Sequence, residues 1–210
     1  MAAVDSLDLR ERRRLQTTRE ISDAALGLFE SVGVDGTRIE DIAREAGISP
    51  RTFFRYFPTK ERAAFCSDPE VEQLVDGMAA TLDPGTPLLP QVEAIYAAAM
   101  AAYDNGRSPG GRRVLRMWRL VDREPTLRAA GVAYEEERAR ALAARLREAL
   151  GTDERDLRPE LVVEVVGASA RVAFRRWAVL HEAGREADLV TLYEEARDLL
   201  RSLPGTPPGA

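Results

Sequence analysis

The stretch TRIEDIAREAGISPRTFFRYFPTK, from Thr37 to Lys60, constrains the fold of this chain more than any other. Thr37 and Glu40 have the spacing of a capping box, in which the hydroxyl accepts the Glu40 amide and the Glu40 side chain reaches back. Ile39, Ile42, Ala43 and Ala46 then recur at helical spacing and predict one buried face. Gly47 stands where that helix must end in a left-handed conformation, which a residue without Cβ adopts at little cost. Ile48 plugs the angle, Ser49 is placed to cap a second helix, and Pro50 occupies its first turn, where no amide donor is needed. Two helices joined by a short glycine turn make a helix-turn-helix, whose second helix lies in a DNA major groove.

The flanking sequence predicts helices and no strand. Thr17 and Glu20 form a second capping box, and Ile21, Ala24, Ala25, Leu28, Phe29 and Val32 follow the amphipathic pattern up to Gly33. Asp35-Gly36 is the turn into the motif. After it, Phe57-Pro58 forces an extended step, Thr59 caps, and Lys60-Glu61 open a helix that runs to about Phe65 and breaks near Asp68-Pro69. Val71, Leu74, Val75, Met78 and Leu82 resume the pattern. Further helices are expected at 88–104, 110–123 and 125–150. The chain reads as all-α.

The net charge of −5 argues, taken alone, against a nucleic-acid partner. Its distribution does not. Up to Phe65 there are eleven basic and eleven acidic residues, so the whole deficit lies beyond the motif. Arg10 to Arg14 read either as a solvated helix start or as an arm against the DNA backbone. With Cys66 as its one cysteine, the chain has no disulfide framework or cysteine metal site. The apolar run from Ala94 to Tyr103 is about half the length of a membrane span. The N-terminus lacks an apolar segment behind its arginines, so a signal peptide is not expected. These features predict a cytoplasmic protein with no membrane partner, no metal and no cofactor.

From Glu160 to about Leu180 the sequence is apolar nearly all round, which requires cover on every side. The final helix carries a stripe from Leu189 to Leu203. These two helices either complete one protomer's core or also build a symmetric dimer seam. Val166, Ala170, Leu189, Leu192, Tyr193, Ala196, Leu199 and Leu200 are the seam candidates.

In the second motif helix, Ser49, Arg51, Thr52, Arg55 and Tyr56 are the polar or amphipathic positions, with Phe53 and Phe57 as inward anchors. Arg51 is placed to pair bidentately with guanine, against the simpler readings of a phosphate contact or a free surface arginine. Lys60 and Arg38 sit at helix starts, unfavourable places for a cation unless a phosphate lies there.

The segment from about Arg13 to Phe65, through AALGLFESVGVDGTRIEDIAREAGISPRTFFRYFPTKE, resembles the TetR family of bacterial transcriptional regulators. The resemblance implies an all-α homodimer with an N-terminal three-helix DNA-binding domain and a C-terminal helical domain for ligand binding and dimerisation. On that reading residues 1–11 are a disordered arm, 12–60 the DNA-binding domain, 61–203 the ligand-binding and dimerisation domain and 204–210 a disordered tail. Thr37 and Arg38 then begin the helix that meets the backbone. Ser49, Arg51, Thr52, Arg55 and Tyr56 face a double-stranded operator, and Lys60 contacts phosphate. Phe54 departs from the family, many of whose members carry a phosphate-bonding Tyr there. It offers only apolar contact, as with a thymine methyl.

A looser likeness, in TFFRYFPTKE, VLRMWRLVDREPTLRA and the Trp177 helix, is to the branch whose C-terminal domain binds acyl-CoA-like ligands. An acyl chain needs an apolar tunnel with basic groups at its mouth. Tyr96, Met100, Met117, Trp118, Phe174 and Trp177 are candidate walls, although residues at this spacing are more often ordinary core. Arg113, Arg116 and Arg119 could meet phosphates, or form a solvated face.

An enzyme is not expected: His181 is the only histidine, with no nucleophile or metal cluster in its company. The expected protein is a regulator, by family habit a repressor released by a small hydrophobic or acyl-CoA-like ligand. Its alternatives are an activator, or a helix-turn-helix fold used as a protein-interaction or ligand-binding module.

Overall fold

A computed structural model describes residues 9–66 and 68–202. The expected tail beyond Ser202 and most of the expected N-terminal arm lie outside the described residues. Among those described, nine α-helices run in order: α1 Leu9–Gly36, α2 Ile39–Glu45, α3 Pro50–Tyr56, α4 Pro69–Ala80, α5 Leu88–Ala101, α6 Pro109–Arg123, α7 Pro125–Leu150, α8 Arg158–Glu182 and α9 Leu189–Ser202. None is long and apolar enough to cross a membrane.

Two local readings change. The first helix begins at Leu9, so Leu9 to Glu11 are helical, and the Thr17–Glu20 box lies inside a helix. Thr18 instead donates its hydroxyl to the Arg14 carbonyl, and Gln16 bonds Glu20. As expected, the regular helix breaks at Gly33, whose φ of 78° is open to glycine. The helix expected to begin at Lys60 is a four-residue 3-10 turn, Glu61–Ala64. Thr59 does cap it, its hydroxyl accepting the Arg62 amide at 3.2 Å.

The chain forms two compact units, and the division falls inside α4, α6 and α7. The first takes the chain up to Gln73 and again from Arg113 to Glu136. Its core joins Ile21, Leu26 and Phe29 of α1, Ile42 of α2, Phe53, Phe57 and Phe65 around the motif, and Leu120, Leu127 and Tyr134 from the later segment. The compact unit that holds the helix-turn-helix therefore takes in the end of α6 and the start of α7. Gly131 on α7 lies close against the Phe65 ring: a Cβ there would come within 3.2 Å of it, so the ring would have to give by a few tenths of an ångström.

The second unit takes Leu74 to Arg112 and the chain from Glu137 onward. In it α5, α8 and α9 pack on one another around Ile95, Met100, Val166, Ala170, Trp177, Leu189 and Tyr193. Gly111 permits the tight approach of its helix to the preceding turn, since a Cβ would lie 2.0 Å from the Tyr103 carbonyl oxygen.

Candidate nucleic-acid interface

The corner between α2 and α3 forms as its sequence dictates. Gly47 takes φ 66°, the Ile48 amide donates to the Ala43 carbonyl at 2.8 Å and the Gly47 amide to Arg44 at 3.1 Å. These bonds satisfy the last carbonyls of α2. The Ser49 hydroxyl accepts the Thr52 amide at 3.1 Å and lies 2.9 Å from the Thr52 hydroxyl, with Pro50 in the first turn. Phe53 and Phe57 face inward and anchor α3 to the core of the first unit.

That anchoring fixes what α3 presents outward. Arg51, Phe54 and Arg55, at i, i+3 and i+4, share one face and are exposed, with Thr52 and Tyr56 half-exposed at its edges. The Arg55 guanidinium lies 5.3 Å from the Tyr56 ring centre, within cation–π range. Arg38, the residue before α2, is also exposed and makes no side-chain cap. No carboxylate among the described residues pairs with Arg38, Arg51 or Arg55, so three cations stand open on the motif.

Thr37 and Lys60 are placed differently from expectation. Thr37 is 1% exposed and caps nothing: its hydroxyl donates to the Gly33 carbonyl at 2.8 Å. Its side chain has no route to a phosphate. Lys60 donates through Nζ to the carbonyls of Val34 at 2.7 Å and Thr37 at 2.9 Å. Its ammonium thus uses two of its three donors to tie the segment after α3 to the corner between α1 and α2. The capping box fails locally: α2 begins one residue later, with Arg38 at its N-cap, and the Thr37 hydroxyl turns back to the Gly33 carbonyl.

The first unit also contains contacts that sequence reasoning missed. Arg113 of α6 forks onto Asp23 of α1 through two bonds of 2.9 Å, and Arg116 forks onto Glu30, its shortest contact 2.6 Å. These arginines, read as phosphate candidates, are partnered with carboxylates. Arg62 reaches the Phe65 carbonyl at 2.8 Å and lies over the Tyr134 ring at 4.4 Å, while Phe65 and Tyr134 meet at 5.4 Å. The seven-residue step from Asp23 to Glu30 and the three-residue step from Arg113 to Arg116 each mark one helix face. Only their pairing was hidden.

The six wall candidates are divided between the two units. Met117 and Trp118 belong to the first, where Met117 packs on the core. Tyr96, Met100, Phe174 and Trp177 belong to the second, where Tyr103, Phe174, Trp177 and His181 make successive edge-on ring contacts of 6.0, 6.4 and 5.1 Å. Of the eight seam candidates, Val166, Ala170, Leu189 and Tyr193 are buried in their own protomer. Leu192, Ala196 and Leu200 are half-exposed, and Leu199 is 66% exposed.

The family described as bacterial regulatory proteins, tetR family, matches residues 21–62. The HTH-type transcriptional regulator TcmR of Streptomyces glaucescens is 32% identical over 199 residues, covering 92% of this chain and 86% of TcmR. The chain belongs to the TetR family. It is a DNA-binding transcriptional regulator, as its named relatives are, and not an enzyme. The HTH-type transcriptional regulator RutR of Escherichia coli is 41% identical over 59 residues, 28% of each chain. The fatty acid degradation regulator FadR from Bacillus halodurans superposes with a TM-score of 0.52 at 18% identity, covering 88% of this chain and 94% of that one. That likeness shows a shared fold.

Proposed function

We propose that this TetR-family regulator is a homodimer that reads an inverted-repeat operator with α3 and is released from it by a small, largely apolar effector. Repression is the mode that the family resemblance implies. The observation that carries the dimer is an uncovered apolar stripe on α8. Leu161 (63% exposed), Val165, Ala168, Val172 (58%) and Val179 recur at intervals of four, three, four and seven residues. Leu199, Leu192 and Ala196 on α9 add to the apolar surface. A helix apolar on both faces requires cover on both, and α5 and α9 cover only one. A second copy presenting the same stripe about a two-fold axis covers the other. Such a pair holds two reading heads at the spacing of two half-sites.

In each head Arg51 and Arg55 address base edges and phosphates, Arg38 meets the backbone, Ser49, Thr52 and Tyr56 edge the contact, and Lys60 holds the corner that presents them. The effector is supported by the second unit's ring series and by the indole N–H of Trp177, which is fully buried and has no hydrogen-bond partner among the described residues. A buried donor of that kind calls for an acceptor. Titrating the protein–operator complex with acyl-CoAs of increasing chain length tests the acyl-CoA form of this reading. Release that depends on chain length supports it, and indifference across the series removes it.

A further inference from the structure

The recognition helix carries one large side chain with no polar atom on its open face. Phe54 is 56% exposed, between Arg51 and Arg55. It is not a loose surface residue. Its ring meets the fully buried Phe53 ring edge-on, at 5.8 Å and 89°. Phe53 in turn contacts Phe57 at 6.0 Å. The phenyl is therefore held against the core on one edge and presented outward on the other. A tip already in contact with the core loses less side-chain freedom on contact than a fully solvated one, which favours its use in recognition.

The floor of a major groove offers donors, acceptors and one apolar group, the 5-methyl of thymine. Arg51 and Arg55, which only donate, match the acceptors. Phe54 matches only the last, because it neither donates nor accepts a hydrogen bond. We infer that Phe54 is a specificity-determining residue that reads a pyrimidine 5-methyl group, so that each half-site carries thymine opposite it. The chemistry read is the methyl and not the base, so 5-methylcytosine at that position is favoured over cytosine, and operator affinity responds to cytosine methylation there. This rests on α3 being the helix that enters the groove.

The test uses the full-length protein on the operator that it selects from random DNA. Each thymine is replaced in turn by deoxyuridine, which removes the methyl and leaves the pairing edge intact. One position in each half-site should then weaken binding by roughly fourfold, the value of one buried methyl group, and by about fifteenfold when both are replaced. Phe54→Ala should bind thymine and uracil operators equally, while Phe54→Leu, which keeps an apolar tip, should retain part of the difference. With cytosine and 5-methylcytosine compared at that position, the wild type should prefer the methylated form and Phe54→Ala should not. Both variants alter an exposed side chain, and unchanged melting temperatures establish that they fold. Uracil sensitivity that persists in Phe54→Ala, or that is absent from every thymine, overturns the assignment to Phe54 while leaving α3 as the reading helix. Failure to select any DNA overturns both.

Discussion

Arg113 and Asp23 meet as a fork, Nε donating to Oδ1 and Nη2 to Oδ2, both at 2.9 Å and across 90 residues of sequence. The guanidinium is nearly buried and Asp23 is about half exposed, so the two ends of the pair are not equivalent. Asp23→Ala leaves a buried cation unpaired and should cost about 2–3 kcal/mol, below the full value for a pair buried at both ends. Glu30→Ala releases the more exposed Arg116 and should cost under about 1 kcal/mol. Urea unfolding of the two variants checks the order, which matters more than either value.

Lys60 and Arg38 should separate in their salt dependence. Lys60→Met loses two charge-assisted bonds to the Val34 and Thr37 carbonyls and should lower stability by about 1–2 kcal/mol. Because those donors face carbonyls, the slope of operator affinity against salt should stay nearly unchanged. Arg38→Ala should leave stability intact and flatten that slope by about one unit. Arg51→Ala should cost ~1–3 kcal/mol at one base position and relax specificity there. Thermal melts and binding isotherms across a salt series read all three.

The motif was legible because its signals are local. Gly47, Ser49, Pro50 and the spacing of Phe53 and Phe57 each act within one turn of chain, and the structure uses them as read. Thr37 was misread because α2 starts one residue later, at an Arg38 N-cap, and the hydroxyl bonds back to the Gly33 carbonyl instead of forward to Glu40. The faces of α8 were misread for another reason. Where nearly every position is apolar, composition does not say which stripe a protomer covers for itself, and Val166 and Ala170 fell on the inner one. The Asp23–Arg113 pair was invisible because each residue alone looks like ordinary surface charge.

The two faces of α8 therefore predict opposite phenotypes. Val172→Glu places a charge on the open stripe and should yield folded monomers with unchanged helicity. Ala170→Glu places it in the protomer's core and should cost about 3 kcal/mol or more, lowering the melting temperature before it affects assembly. Sedimentation velocity beside circular dichroism distinguishes the outcomes.

Cys66 should be unreactive in the native protein. Burial pushes its thiol up to about 11, and the neighbouring Arg113 and Arg19 only partly offset this. At pH 8 roughly one thiol in a thousand is then ionised, against about a quarter for an unperturbed cysteine. Since the thiolate is the reactive form, alkylation of the folded protein should rise about tenfold per pH unit from 7 to 9.5 without levelling. The urea-unfolded chain should level off above about pH 9. Iodoacetamide labelling followed by mass measurement shows which profile holds.

Selection of operators from random DNA by the purified protein, with the mass of the selected complex measured by sedimentation, tests the central claim most directly. The account predicts an inverted repeat with half-site centres about one DNA turn or a multiple apart, occupied by an even number of protomers. An asymmetric site holding a single protomer, or no sequence enrichment at all, would contradict it.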